Sequence, residues 1–121
     1  MNSGTTALHL ALVMLGITSS DEVLVSTFTN MATFFAVIYQ GAKPIPIDSE
    51  PRTLNIDPTL IESKITKKTK AIIVVHIYGH PVDMDPILEI AIKYNLYVIE
   101  DAAEAHGAKY KEKRVGSLGD I

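Results

Sequence analysis

The stretch that most constrains the fold is residues 71–77, AIIVVHI, a run of apolar and mostly β-branched residues. A continuous run of this kind is typical of a parallel strand that is covered on both faces. Shorter strand patterns at residues 23–25 and 97–101 are separated from it by helical patterns. Strands that alternate with helices favour parallel pairing through right-handed crossovers. The sequence therefore predicts a three-layer α/β/α domain with a mainly parallel sheet.

The helix boundaries are predicted from capping residues and prolines. The first helical pattern begins at a cap, Ser3 or Thr5, and the second covers residues 31–39. Because the second pattern is apolar on most faces, that helix is expected to be buried. Asp57 and Asp85 each precede a proline, and an aspartate cap followed by a proline is typical of a helix start. The expected inner face of the last helix consists of Ile87, Leu88, Ala91 and Ile92.

Two segments are expected at the margins of the domain. Residues 44–48 contain two prolines, which lack the amide donor of a sheet ladder, so this segment is predicted to be an edge or irregular strand. Residues 108–116 have the pattern of a short exposed hairpin, in which Lys109, Lys111 and Lys113 are expected to face solvent.

Composition excludes several classes of function. The 121 residues suit one domain, and the net charge of −3 gives no reason to expect nucleic acid or an anionic membrane as a partner. There is no cysteine, and no histidine or carboxylate grouping has the spacing of a known metal motif, so no metal site is predicted. No apolar segment reaches the ~18–20 residues of a membrane span, and no signal peptide is recognisable. A soluble, cytoplasmic protein is expected.

Two segments carry candidate chemistry. The strand pattern at residues 97–101 delivers Glu100 and Asp101 to the carboxyl end of a parallel strand, where α/β sheets bind ligands. Asp101 is the first candidate; the alternative is that both acids cap a helix or face water. The Gly4-Thr5-Thr6 turn opens a helix, whose N-terminal N–H groups and dipole favour an anion, and plain capping is the alternative there.

The histidine that ends the strongest strand is a further candidate. His76 is expected to face the same crevice as Asp101, where it would either contact a ligand or support the carboxylate. We therefore expect Thr5, Thr6, His76 and Asp101 to converge at one edge of the sheet.

Four segments then occur in a recognisable order and spacing: residues 2–9 (NSGTTALH), 33–44 (TFFAVIYQGAKP), 75–79 (VHIYG) and 100–108 (EDAAEAHGA). Together they resemble the DegT/DnrJ/StrS family of pyridoxal-phosphate-dependent nucleotide-sugar aminotransferases, and within it the perosamine-synthase-type members. The resemblance covers essentially the whole chain. It implies part of the large domain of the fold-type I transferases that use pyridoxal 5′-phosphate (PLP).

The resemblance assigns roles to the two candidate segments. In the family, the turn that matches Gly4, Thr5 and Thr6 holds the cofactor phosphate. The residue that matches Asp101 pairs with the pyridine nitrogen. An acid is needed there because a protonated nitrogen makes the ring an electron sink for the carbanion formed on the substrate.

Two positions depart from the family pattern. The position of Glu104 is commonly Gln or His near the ring hydroxyl of the cofactor. An ionised carboxylate there would repel the phenolate oxygen, so Glu104 is expected either to turn away or to hold a proton. At the position of Asn30 the family usually has an aromatic residue stacked on the ring. Asn30 could form a hydrogen bond to the cofactor but could not stack comparably.

The family's Schiff-base lysine lies beyond the segment that matches residues 116–121, so no catalytic residue is predicted within the chain. The resemblance implies that residues 1–121 are a partial PLP-binding large domain, truncated at both ends and without the small C-terminal domain. By itself the chain is expected to be inactive and to bind PLP weakly or not at all.

Three functions remain open at this stage. The first is a fragment of an aminotransferase that moves an amino group from an amino acid to a 4-keto nucleotide sugar, for cell-surface polysaccharide or secondary-metabolite sugars. The second is a related PLP-dependent dehydratase, in which histidine replaces the lysine. The third is an inactive fragment with a structural role. Family members are dimers with shared active sites, so a homodimer is expected for the full-length protein.

Overall fold

Strands and helices alternate along the chain in the computed structural model, which describes residues 2–121. The helices are α1 (Gly4–Met14), α2 (Met31–Tyr39), α3 (Pro58–Ile61) and α4 (Met84–Tyr94). The strands are β1 (Glu22–Ser26), β2 (Lys43–Ile47), β3 (Thr69–Val75), β4 (Tyr97–Asp101), β5 (Lys109–Tyr110) and β6 (Lys113–Arg114). Single 3-10 turns at Glu62–Lys64 and Ile77–Gly79 follow α3 and β3.

The main sheet has the strand order β2-β1-β3-β4, and all its strands are parallel. Helices α1 and α2 pack on the face that carries Ile73 and Ile99, whereas α3 and α4 pack on the face that carries Ile72 and Val98. The predicted three-layer α/β/α architecture is therefore confirmed. Because side chains alternate between faces along a strand, Glu100 lies on the α4 side and Asp101 on the α1 side.

The positions of β2 and β3 in the sheet agree with their sequences. β3 is central and buried, since it pairs with both β1 and β4. β2 pairs with β1 alone and is an edge strand, as the prolines predict. β3 ends at Val75, two residues earlier than predicted, because the chain turns away through Tyr78 and Gly79, which have φ angles of 49° and 84°.

Most helix starts follow the predicted chemistry. The side chains of Ser3, Asn30 and Asp57 each accept a hydrogen bond from a backbone N–H in the first turn of α1, α2 and α3. The predicted cap of α4 is wrong: Asp83 is the N-cap residue, and Asp85 lies in the first turn, where its negative charge favours the helix dipole.

Two predictions about helix faces are wrong. α2 is not buried on most faces, because it packs against the sheet on one side only. Its exposed apolar residues are Met31, Phe35, Ile38 and Tyr39. In α4, Ile90 is 8% exposed and belongs to the core, whereas Ile92, expected inside, is 83% exposed. Two positions along an α-helix correspond to a rotation of about 200°, which carries a side chain to the opposite face.

Residues 118–121 run along the free edge of β4. The N–H of Asp120 donates to the carbonyl of Val98 at 2.8 Å, and the N–H of Glu100 donates to the carbonyl of Ile121 at 2.8 Å. The approach is close at Gly119, where an added Cβ would lie 2.7 Å from the carbonyl oxygen of Val98. Only glycine fits at this position without a backbone shift.

Replacing Gly119 by alanine is expected to lower the free energy of unfolding by about 1–3 kcal/mol, because the new methyl group overpacks the edge of β4. Urea denaturation measures this loss. Gly4→Ala is the control, since a Cβ at Gly4 meets no atom within 4 Å. Equal stability of the Gly119→Ala variant and the unmodified chain would contradict the close approach.

No helix within residues 2–121 combines the length and apolar character needed to cross a membrane. The hairpin β5–β6 is present as predicted, with its lysine side chains largely exposed. Lys111 forms an ion pair with Asp85 in α4, and Lys109 pairs with Glu112. Two of the four cations of the hairpin are thus held in surface ion pairs.

Candidate functional site

The carboxylate of Asp101 stands at the carboxyl end of β4, on the side of the sheet that α1 covers. It lines a cavity of about 240 Å³ together with Gly4 in the first turn of α1. The remaining lining residues are Ala7, Leu8, Ala11, Ile99, Glu100, Ala103 and Ile121. Two candidate residues that are far apart in the sequence thus lie at one cavity with a mainly apolar wall.

The side chain of Asp101 is oriented by a single hydrogen bond. Its Oδ1 accepts the N–H of Ala103 at 3.1 Å. No donor from residues 2–121 reaches Oδ2. This oxygen can therefore accept a hydrogen bond from an N–H or O–H group of a ligand. The Asp101 side chain is half-buried, and no helix follows β4 within residues 102–121, so the alternative that Asp101 caps a helix is wrong.

The first turn of α1 presents hydroxyl and N–H groups at the positive end of the helix dipole. The N–H of Thr6 donates to Ser3 Oγ at 3.3 Å, and the two hydroxyls lie 3.0 Å apart. The first backbone hydrogen bond of α1 runs from the N–H of Ala7 to the carbonyl of Ser3. The N–H groups of Gly4 and Thr5 therefore have no acceptor within the helix and point out of its N-terminus, where the dipole is positive. Thr5 is half-buried and Thr6 exposed, and neither lines the cavity shared by Gly4 and Asp101.

Asn30 and Glu104 lie together at a second cavity, of about 290 Å³. Glu104 Oε2 accepts the backbone N–H of Tyr78 at 2.8 Å, while Asn30 Oδ1 accepts the N–H of Ala32 at 2.9 Å and caps α2. The rings of Phe28 and Tyr78 meet edge to face across this cavity, with centroids 6.2 Å apart. The Glu104 carboxylate is thus engaged by a backbone donor at this cavity.

The ring of His76 does not face the crevice, and that expectation is wrong. His76 is completely buried on the α4 side of the sheet, opposite to Asp101. Its Nε2 lies 3.1 Å from Glu100 Oε2, and its Nδ1 accepts the N–H of Val82 at 3.0 Å. Since Nδ1 accepts, Nε2 carries the proton and donates to the carboxylate. Only the backbone N–H of His76 reaches Asp101, whose carbonyl accepts it at 3.1 Å.

The burial of Glu100 and its pairing with His76 were not predicted from the sequence. Its side chain is 1% exposed, and its two oxygens accept four hydrogen bonds. The donors are His76 Nε2 at 3.1 Å and the N–H groups of Gly116 at 2.8 Å, Leu118 at 2.6 Å and Gly119 at 2.5 Å. The alternation of β4 was the available signal, because it places Glu100 on the covered α4 face.

Electrostatics at Glu100 favour the charged form. Burial raises the pKa of this carboxyl, but hydrogen bonds from His76 and from three backbone N–H groups outweigh burial, so that the pKa falls from 4.5 to about 2. A shift of this size corresponds to about 3 kcal/mol of stabilisation of the folded state by the ionised group. Glu100 is therefore a buried, fully paired anion immediately before the candidate Asp101.

This pKa predicts a specific acid sensitivity. Because the folded pKa is below the unfolded value, the stabilisation by Glu100 is complete above about pH 4.5 and is lost as the pH falls toward 2. Between pH 5 and 2 the unmodified chain should lose about 3 kcal/mol more of its unfolding free energy than the Glu100→Gln variant. Urea unfolding at stepped pH measures both curves; parallel curves would contradict the assignment.

A sequence model of the DegT/DnrJ/EryC1/StrS aminotransferase family matches residues 1–121. The chain belongs to this family. GDP-perosamine synthase of Caulobacter vibrioides is 57% identical over 119 residues, which are 98% of this chain and 32% of that protein. The chain therefore spans about a third of the length of this curated relative.

Two solved structures of proteins described as aminotransferases show the same fold. The aminotransferase of Psychrobacter cryohalolentis superposes with a TM-score of 0.96 at 49% identity, over 98% of this chain and 30% of that one. A Streptococcus pneumoniae protein described as a sugar aminotransferase, solved in its PLP form, gives a TM-score of 0.91 at 32% identity over 98% of this chain and 34% of that one. The resemblance seen in the four sequence motifs is thus confirmed.

The residues of this DegT-family chain fit PLP in their chemistry. PLP carries a phosphate dianion at one end and a basic ring nitrogen at the other. The first turn of α1 offers N–H and hydroxyl donors suited to the phosphate, and Asp101 offers a carboxylate suited to a protonated nitrogen. Gly4 and Asp101 line the same cavity, so the first turn of α1 and the carboxylate lie on one side of the sheet.

Proposed function

We propose that the chain is the cofactor-binding part of a PLP-dependent aminotransferase that acts on a 4-keto nucleotide sugar. The observation that carries this proposal is the meeting of Gly4 and Asp101 at one cavity at the carboxyl edge of the sheet. Membership of the DegT/DnrJ/EryC1/StrS family and the likeness to a GDP-perosamine synthase support the substrate class. An amino acid, with glutamate the usual choice in the family, is the proposed amino donor.

The residues of the chain have distinct proposed roles. The N–H groups of Gly4 and Thr5, with the hydroxyls of Thr5 and Thr6, bind the phosphate. Asp101 holds a proton at the ring nitrogen through Oδ2. PLP, when bound, supplies the electron sink for the carbon that loses its proton. The apolar wall formed by Ala7, Leu8 and Ala11 excludes water, which strengthens the attraction between Asp101 and the ring nitrogen.

We propose that the second cavity, which Asn30 and Glu104 line, meets the part of the cofactor ring that carries the hydroxyl group. Because the Glu104 carboxylate accepts the Tyr78 N–H at 2.8 Å, its charge is partly neutralised, which would reduce its repulsion of the cofactor's ring hydroxyl. Asn30 caps α2 and supplies a polar edge in place of the aromatic residue usual in the family. We propose that this exchange weakens cofactor stacking and leaves the phosphate turn and Asp101 as the main anchors.

The lysine that anchors the cofactor has no matching position in these 121 residues. Lys109 and Lys111 are exposed and paired in the hairpin, so neither is the proposed anchor. We propose that another part of a longer, cytoplasmic enzyme supplies it, and that residues 1–121 form part of its large domain. A homodimer is proposed for that enzyme, and the exposed apolar residues of α2 are consistent with a buried position there.

The test is an assay of the intact enzyme with a 4-keto nucleotide sugar, glutamate and PLP, followed by mass spectrometry of the sugar. Aminotransfer gives an amino sugar and 2-oxoglutarate in equal amounts. A deoxygenated keto sugar with no transfer of nitrogen would instead indicate the dehydratase. If neither product forms and PLP does not bind, the chain has a structural role and the proposal is overturned.

A further inference from the structure

The aim of the Asp101 carboxylate depends on the backbone that carries it. Its side chain accepts one hydrogen bond from the described residues, from the nearby N–H of Ala103. Its position relative to α1 is therefore set mainly by the end of β4. That strand end is held at both edges: the carbonyl of Asp101 accepts the N–H of His76 at 3.1 Å, and the N–H of Glu100 donates to Ile121 at 2.8 Å.

The carboxylate of Glu100 connects these two edges from the opposite face of the sheet. On the β3 side it accepts His76 Nε2 at 3.1 Å, and the same histidine is fixed by the N–H of Val82 at 3.0 Å. On the free side of β4 it accepts three N–H groups, from Gly116, Leu118 and Gly119. A single buried anion thus fixes the turn after β3 and the segment 116–121 against β4.

The turn after β3 is rigid enough to transmit this constraint. The buried side chain of Asn55 accepts the N–H of Ile77 at 3.1 Å and donates to the carbonyl of His80 at 3.0 Å. His76 therefore cannot move without breaking bonds to Val82 and to the turn that Asn55 holds. Rigid support of this kind is what a group needs when it must meet a ligand atom within a fraction of an ångström.

We propose that Glu100 and His76 are positioning residues for Asp101: from the far face of the sheet they hold the end of β4 where the Asp101 carboxylate meets the cofactor's ring nitrogen. This inference rests on the proposed function. It differs from a general role in stability because it acts at the ring nitrogen alone. Loss of the Glu100 contacts should weaken recognition of the nitrogen and leave recognition of the phosphate unchanged.

The test compares three ligands on the intact enzyme prepared without cofactor: PLP, its 1-deaza analogue with carbon in place of the ring nitrogen, and unphosphorylated pyridoxal. Isothermal titration gives the three dissociation constants. The unmodified enzyme should prefer PLP over the deaza analogue by roughly 10- to 100-fold, as expected for a charge-assisted hydrogen bond. In Glu100→Gln this preference should fall to a few-fold, while the preference for PLP over pyridoxal persists.

Two variants of His76 keep the test valid if Glu100→Gln does not fold. His76→Leu removes the donor to Glu100 and should reduce the nitrogen preference, whereas His76→Gln retains an amide donor and should restore most of it. In an Asp101→Asn background, Glu100→Gln should cause no additional loss of preference, because coupled residues are non-additive.

The outcomes separate this inference from the proposed function. If the folded Glu100 and His76 variants keep the full nitrogen preference, or lose affinity for all three ligands equally, the positioning role is overturned and the cofactor site stands. If the unmodified enzyme itself does not distinguish PLP from the deaza analogue, both the positioning role and the proposed role of Asp101 are overturned.

Discussion

Replacing Glu100 by glutamine is expected to lower the free energy of unfolding by about 3–5 kcal/mol at neutral pH, because each buried donor that loses its acceptor costs about 1–3 kcal/mol. The Glu100 side chain is 1% exposed, and its carboxylate accepts hydrogen bonds from His76 and from three backbone N–H groups. Glutamine has one acceptor oxygen in place of two, and its NH2 group would face N–H donors that it cannot accept. The variant therefore leaves buried N–H groups without partners.

Urea denaturation followed by circular dichroism measures this loss. Glu89→Gln is the matched control, because Glu89 lies on the exposed face of α4 and its replacement should change stability by no more than about 0.5 kcal/mol. If both variants unfold at the same urea concentration, the four hydrogen bonds at Glu100 do not contribute as described.

Asp101→Asn has the largest expected effect on activity. Asparagine cannot carry the negative charge that holds a proton at the ring nitrogen, so kcat of the intact enzyme should fall by roughly 10²–10³-fold, as for other preorganised electrostatic groups. The fold should remain, because Asp101 is half-buried and its side chain accepts one hydrogen bond, from Ala103.

Asp48→Asn is the control for this variant, since Asp48 also directly follows a parallel strand, β2, but lies at neither of the two site cavities. Steady-state kinetics should show wild-type kcat for Asp48→Asn and the full loss for Asp101→Asn. Activity retained in Asp101→Asn, with a circular dichroism spectrum like that of the unmodified protein, would remove Asp101 from the proposed mechanism.

The fold was predictable because its signals are local and strong. The apolar run at residues 71–77 identified the central strand, and the prolines of β2 identified an edge strand. The errors in the predicted fold concern which face of a helix packs on the sheet and which face is exposed. α2 is apolar all round, and such a helix gives no information about which side packs on the sheet.

The site was predictable in part, and alternation along the strands explains the difference. Asp101 lies on the α1 side because Ile99, two positions earlier, packs there. By the same rule His76, two positions after Val74, lies on the α4 side with Glu100. Applying the two-residue period to both strands would have paired His76 with Glu100. The bonds to residues 116–119 depend on a loop conformation that no local pattern encodes.

The central claim is that the first turn of α1 and Asp101 hold PLP from its two ends. Parallel titration of the chain with PLP and with unphosphorylated pyridoxal tests it most directly, because the ligands differ at the phosphate alone. Without a covalent anchor, PLP should bind with a dissociation constant on the order of high micromolar to millimolar. It should bind at least about tenfold more tightly than pyridoxal, since each charge-assisted hydrogen bond contributes about 1.5–3 kcal/mol. Equal affinity for the two would mean that the first turn of α1 is only a capped helix start, and would contradict the account.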